Sequence, residues 1–389
     1  MKNLLIILSL VITASPAFAS RARLESLGEN ANGSYYINDS RDIFLNPAAI
    51  SMYKKKMFFE MGTSGAAVDA FNAPKAEGGF TNTFGDFTYG LYLGKTSNRA
   101  LAGVAQANTF GAAVTAPDHA FDFFFGGENG VKWGADVFYA GAYDKVNSAS
   151  INTASMLGIR LGATINNNIN VFTTLGLTND EKHDTTVATS TNEIKGKLSV
   201  DLGATYSMDD MTYLAKFTSF GSDVTLGGAT VTTVSTATTA FGLGAGWKHE
   251  ASKSVTVYSR VQADMQKDTV TSATAGPAAN TTHSMYNIPV ILAAEAQATS
   301  WLTFRASISH SLIGQTVLTT NEIKSLDGLT AVAMGFGLNF GDLTIDGLAG
   351  QSVATAGSMT ESSQGTAQSG NLAGLGDQLM GRLALTYNF

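Results

Sequence analysis

The sequence predicts an all-β fold, a transmembrane antiparallel β-barrel of about 16 strands, and three observations carry that prediction. The chain ends Leu383-Ala384-Leu385-Thr386-Tyr387-Asn388-Phe389, with a large apolar residue at every second position and small or polar residues between. A period of two marks a strand with one apolar and one polar face. Upstream, short turns alternate with long loops between strand-like segments, the rhythm of a barrel whose two rims differ. Finally, charged residues make up only 14% of the 389 against 44% hydrophobic, well below the roughly 25% charge of an average soluble domain.

The N-terminus sets the compartment. Met1-Lys2-Asn3 is a short basic start, 4–12 is apolar, and Ala17-Phe18-Ala19 ends the stretch. This is the anatomy of a secretory signal peptide over residues 1–19, read by the Sec pathway and cut before Ser20. No later apolar run reaches the roughly 18 residues of a membrane-spanning helix, so the expected destination is the bacterial outer membrane, crossed by strands. The absence of cysteine rules out disulfide and thiolate chemistry. A net charge of −7 without a Lys/Arg-rich patch argues against nucleic acid as a partner.

Residues 20–56 form a periplasmic or luminal N-terminal segment, richer in charge than the strands beyond it: Arg21, Arg23, Glu25, Glu29, Asp39, Arg41 and Asp42 all fall here. Pro47 blocks a continuous helix or central strand. The tripeptide Asn46-Pro47-Ala48, placed before the first strand with Asp39 and Asp42 upstream, resembles the hatch motif of the FadL-type outer-membrane channels for hydrophobic compounds. That resemblance implies a segment lodged in the barrel lumen. It covers about the first 45 mature residues and does not continue into the strands. The opening Ser20-Arg21-Ala22-Arg23-Leu24 with Gly33-Ser34-Tyr35-Tyr36 is similar to the major porin-like outer-membrane proteins of Bdellovibrio-type predators.

The barrel is expected over 57–389. Strands are read at 57–67, 79–84, 87–93, 119–125 and 131–140, with turn signals at Gly85-Asp86 and Glu128-Asn129-Gly130. Hairpins then come at 156–178, 194–218, 238–266, 286–310 and 330–350, and the closing strand at 378–389. Segments rich in Thr, Ser, Ala and Gly separate them, at 179–192, 222–236, 267–282 and 351–371. The count is 16, or 14 if the weak second strand pair is not real. Pro74, Pro117 and Pro277 fall in loops, and only Pro289 lies in a strand.

The faces identify the medium on each side. Val131, Val137, Leu157, Ile159, Leu161, Val255, Val261, Phe304 and Ile308 share the apolar face. Lys132, Asp136, Arg160, Asp201, Lys216, Arg260, Gln262, Asp264, Glu295, Arg305 and Arg382 take the other. A sandwich core would not hold these charges, whereas a closed barrel with a wet bore does. They have two readings: a field selecting small solutes, or cross-strand pairs such as Glu295 with Arg305 that make a polar interior tolerable. Gly134, Gly158, Gly162, Gly203, Gly244 and Gly246 also fall inward, leaving room for water or for a plug. Trp133, Trp247 and Trp301 lie beside tight turns and are expected to form an interfacial girdle with nearby Tyr and Phe residues.

Nothing in the sequence resembles a catalytic signature, and the five histidines have no ligand spacing, so neither an enzyme nor a metal or cofactor site is expected. The expected function is a porin-like channel for passive diffusion of small solutes. The alternatives are a FadL-like uptake channel for hydrophobic compounds and a non-transporting envelope barrel. The acidic inward third loop of the porin family has no counterpart over 144–153. The expected partners are outer-membrane lipid, periplasmic chaperones, and the barrel-assembly machinery, the last through the terminal signal Leu383, Leu385, Tyr387 and Phe389. The chain is expected to be a monomer or a homotrimer.

Overall fold

The computed structural model describes residues 20–62, 75–95, 119–147, 150–185, 190–227, 232–272, 280–318, 324–326, 329–355 and 381–389. The leader expected over 1–19 and most of the loop tips lie outside them. The β-segments in order are β1 (Lys56–Gly62), β2 (Lys75–Phe84), β3 (Phe87–Leu93), β4 (His119–Asn129), β5 (Val131–Asn147) and β6 (Ser150–Ile165). They continue as β7 (Ile169–Thr185), β8 (Ser190–Gly196), β9 (Ser199–Met208), β10 (Met211–Leu226), β11 (Thr232–Ser252) and β12 (Val255–Ser272). The last six are β13 (Asn280–Gln297), β14 (Leu302–Leu318), β15 (Lys324–Leu326), β16 (Leu329–Phe340), β17 (Leu343–Thr355) and β18 (Arg382–Asn388).

These segments make a closed antiparallel barrel of 16 staves. β8 and β9 share one path between β7 and β10. β15 and β16 likewise share one path along β14. The alternative of 14 strands therefore falls away, because the weak second pair, β2 and β3, is hydrogen-bonded in register. β18 closes the wall on β1, with Met57 opposite Tyr387, Phe59 opposite Leu385 and Met61 opposite Leu383. No sheet edge is left, as an apolar bilayer demands.

Local chemistry places the turns. Gly130 at the β4/β5 turn has φ +73°, and Asn166, Asn167 and Asp209 carry positive φ at their turns. Asn and Asp tolerate this left-handed region better than other side-chain-bearing residues. Pro289 sits where the β13–β14 register shifts after Asn287, so its missing N–H falls at an irregularity in the ladder.

The staves run further than the sequence predicts. Much of the expected loop 179–192 is β7 and β8, and the expected loop at 144–153 is a hairpin with Asn147 opposite Ser150. The reason is solvent. Outward positions Asp180, Lys182, Asp184, Glu193 and Lys195 are polar, and three ion pairs (Lys182–Asp184, 2.8 Å; Lys195–Glu193, 3.3 Å; Lys197–Asp223, 2.8 Å) cross this level. At this level every residue of β7 from Asn179 to Asp184 is polar, on both faces, so the period-two contrast that reveals a strand vanishes. Below it, outward Val171, Leu175 and Leu177 are apolar, and 169–177 matches the roughly 9–11 residues with which a tilted strand crosses a bilayer.

Candidate functional site

The bore is occupied by residues 20–55 of the chain. A helix at Arg21–Ser26 opens this segment, capped by Ser20, whose Oγ accepts from Arg23 N at 3.2 Å. Gly28 ends it with φ +73°, where a Cβ would press on Ser307 and Ile291 of the wall, so this position needs glycine twice over. A 3₁₀ helix at Ser40–Phe44 comes next, with a capping box. Asp39 accepts from Arg41 N (2.9 Å), and Asp42 accepts from Asp39 N (2.8 Å).

The Asn46-Pro47-Ala48 motif now has a physical explanation. Asn46 is the N-cap of a second 3₁₀ helix, Pro47–Met52, and its Oδ1 accepts from Ala48 N at 3.1 Å. Pro47 occupies the first helical position, where its lacking N–H costs nothing. The Asn46 amide also reaches the wall, donating to Thr164 Oγ1 (3.4 Å) and Asn170 Oδ1 (3.3 Å). The inward glycines are seats for this plug. A Cβ at Gly134 would overlap the Pro47 carbonyl, one at Gly162 the Asn46 side chain, and one at Gly244 or Gly246 the Tyr36 ring or hydroxyl. Gly158 and Gly203 instead make room for the wall's own Phe138 and Phe172.

Apolar packing and ion pairs hold the plug together. Leu24, Leu27 and Ile50 are completely buried, each worth about 1.5–3 kcal/mol. Arg41 Nη1 donates to Glu60 on β1 and Glu77 on β2, both at 3.0 Å, and to the Tyr92 hydroxyl at 3.2 Å. Arg23 grips Glu295 on β13 with two hydrogen bonds, 2.8 and 2.7 Å, and also faces Asp39 at 3.3 Å. Glu25 pairs with Arg382 (2.9 Å) and Glu29 with Arg260 (3.2 Å). Ser20 Oγ donates to Asp346 at 3.0 Å.

Most of the inward charges picked out from the sequence therefore have partners. Glu295, Arg260 and Arg382 anchor the plug directly. Arg305 backs it by donating to Glu295 (2.8 Å) and Asp346 (2.7 Å), so the expected pairing of Glu295 with Arg305 is part of a larger network. Arg160 bridges Asp136 and Asp122, Lys216 pairs with Asp264 at 3.0 Å, and Lys132 donates to Asn167 at the turn rim. Asp201 lines the open part of the bore. Sequence reasoning missed Glu60 and Glu77, although Glu60 alternates with outward Met57, Phe59 and Met61 and so had to point inward.

Trp247 and Trp301 are exposed, and Trp133 packs against Phe87 and Phe125, all near the tight-turn rim. Leu383, Leu385 and Tyr387 alternate with buried Arg382, Ala384 and Thr386, hence face outward, and Phe389 N donates to Lys55 O at 3.1 Å.

Above the plug lies a cavity of about 310 Å³. Tyr35, Phe44 and Leu45 of the plug line it, with Phe138, Met156, Phe172 and Phe220 as the apolar part of its wall and Lys95, Arg160, Asp201 and Lys216 as the charged part. Tyr35 stacks on Phe172 with centroids 5.4 Å apart. On one side the ladder of the wall is interrupted. The β7 ladder lapses between the pairs Gly176–Ser199 and Asp180–Lys195, and the β6–β7 register skips Leu177 at the same level. Gly176, Thr178, Gly196 and Lys197 line the cavity at this level, while Leu177 and Leu198 are exposed on the outer surface.

Burial sets the charge state of the plug's acids. Removal from water pushes the Asp39 carboxyl up to about 7 against the pull of Arg23, and raises Asp42 as well, with the neighbouring Asp39 adding to the effect.

A closed 16-stave barrel with an apolar belt and a folded segment in its bore resembles the outer-membrane proteins of Gram-negative bacteria. No protein-family model and no curated protein sequence matches the chain. Among solved structures it is similar to a Pseudomonas aeruginosa FadL homologue, at 12% identity and a TM-score of 0.46 over 95% of this chain and 98% of that one. It is also similar to the CymD monoaromatic hydrocarbon channel (11%, TM-score 0.40, 96% and 98% covered). A third likeness is to the Ralstonia pickettii toluene transporter TbuX (12%, TM-score 0.37, 96% and 99%). At such identities and scores these likenesses say nothing of what this chain carries.

Proposed function

We propose that the protein is an outer-membrane channel for small hydrophobic compounds, closed toward the periplasm by its N-terminal segment. This replaces passive porin-like diffusion as the leading reading. The observation that carries it is the cavity with aromatic walls above a buried plug, beside the interrupted ladder between β7 and the β8/β9 stave. A diffusion pore for hydrophilic solutes needs a continuous wet path, and the plug's fully buried Leu24, Leu27 and Ile50 interrupt it. An apolar compound gains by leaving water for the cavity, at roughly 25 cal/mol per Å² of apolar surface removed. Its proposed exit is sideways, by parting of the staves at the interrupted ladder and without passage through the plug.

Planar-bilayer recording and a toluene-binding measurement on the purified chain together test the proposal. The expected result is little steady ion conductance from the intact chain, a rise on deleting residues 20–50, and saturable toluene binding that Phe172→Asp abolishes. Steady conductance from the intact chain with no apolar binding would restore the porin reading. Neither signal would leave a structural barrel.

A further inference from the structure

Ser20, at the start of the plug, is buried deep in the bore rather than left at its mouth. It is 1% exposed and bridges a row of inward residues on three neighbouring staves. Asp346 on β17 stands directly opposite Ala384 on β18, and Ala384 stands directly opposite Glu60 on β1. Neighbouring staves lie about 4.8 Å apart, so the two acids are roughly 10 Å apart with only the Ala384 methyl between them. Ser20 spans that gap. Its Oγ donates to Asp346 Oδ2 at 3.0 Å, and the next backbone N–H, Arg21 N, donates to Glu60 Oε1 at 3.3 Å. The nitrogen of Ser20 hangs on the same Cα, within one residue's reach of both carboxylates.

One acceptor on this row is unused. Glu60 and Glu77 share Arg41, each through its Oε1 at 3.0 Å, and Arg21 adds a longer contact of 3.7 Å to Glu77. Glu60 Oε2 is sealed from solvent and meets no donor. An orphaned acceptor of this kind costs about 1–3 kcal/mol, so a donor beside it is worth having. While Ser20 is joined to Ala19, its nitrogen is an uncharged amide with a single hydrogen. Hydrolysis of that bond, the cut expected of the leader, consumes one water and leaves a carboxylate on Ala19. It gives Ser20 an α-ammonium with a full charge and three hydrogens to donate. A buried cation needs carboxylates beside it, and the row supplies two.

We infer that removal of the leader makes the last anchor of the plug, the α-ammonium of Ser20 held between Glu60 Oε2 and Asp346. Seating is thereby tied to maturation, because the precursor has a neutral amide where the mature chain has the cation. The inference rests on cleavage before Ser20 and is independent of what the channel carries.

The chain purified from outer membranes tests it. N-terminal sequencing is expected to find an unblocked Ser20. Periodate oxidises a serine only when its amine is free, and it is expected to convert Ser20 roughly tenfold or more slowly in the native barrel than in the urea-unfolded chain. A double-mutant cycle then isolates the charge: two glycines inserted between Ala19 and Ser20 leave the mature chain starting at the first glycine, with its amine moved away from the acids. In the chain that starts at Ser20, Glu60→Gln is expected to speed amide hydrogen exchange over 20–55 about tenfold. In the extended chain the same substitution is expected to change exchange much less, with heat-modifiable migration of the barrel unaltered in all four proteins. Equal effects of Glu60→Gln in both chains would overturn the inference. A mature start at any other residue, or a Ser20 oxidised as fast in the native barrel as in urea, would overturn it as well.

Discussion

Arg41 shows how much rests on single side chains. The β1–β2 register sets Glu60 directly opposite Glu77 on the inward face, two buried carboxylates that repel each other. Arg41 comes from the plug to neutralise both, and its guanidinium also lies over the Phe44 ring at 5.0 Å. Arg41→Ala strands that pair, a change expected to weaken plug seating by about 3–5 kcal/mol. Limited proteolysis should show it as new cleavage within 20–55 while the barrel stays intact. Arg41→Lys should fall between, because an ammonium lacks the guanidinium's planar fork. Asp39 and Asp42 make seating depend on pH. Both hold a proton more tightly when seated than when free, where the ordinary value is 3.8. Their contribution is therefore fully present below about 3.8 and lost as pH rises through about 7, so the plug loosens toward neutral and alkaline pH. Amide hydrogen exchange over 20–55, corrected for the intrinsic rate, should quicken as pH rises from about 5 to 8, and Asp42→Asn should flatten that rise.

At the scale of elements, plug and wall are shaped to each other. The 3₁₀ helix Pro47–Met52 lies so close to β5 and β6 that a side chain at Gly134 or Gly162 has nowhere to go. Gly162→Val is expected to unseat the plug without impairing membrane insertion, read as a rise in single-channel conductance at normal abundance. Asn46→Ala removes a helix cap and two wall contacts and should act the same way more mildly, the cap alone being worth about 1 kcal/mol. The Asn46-Pro47-Ala48 motif was legible in the sequence because a cap followed by proline is a local signal. Its glycine seats were visible only as small inward residues, since the sequence does not say which plug residue faces which stave.

For the whole molecule, closure is the decisive event. β18 pairs along its entire length with β1, and Phe389 N–H caps the seam through Lys55 O. Deleting Phe389, or Phe389→Asp, is expected to lower the amount of barrel inserted in the outer membrane, measured by heat-modifiable migration of membrane fractions. Unchanged insertion would deny the terminus an assembly role. By itself the sequence determined the all-β class, a barrel of about 16 or 14 staves, the short-turn rim and the higher charge of residues 20–56. Each of these is written in neighbouring residues, as a period of two, a turn signal or a proline. Only the tertiary structure decided between 16 and 14 staves, which inward charges anchor the segment whose luminal place the motif resemblance implies, and where the ladder is interrupted beside the cavity. Those facts depend on partners distant in the chain, such as Arg23 with Glu295, 272 positions apart. They also depend on a register in which a slip of one residue would turn every side chain to the opposite face.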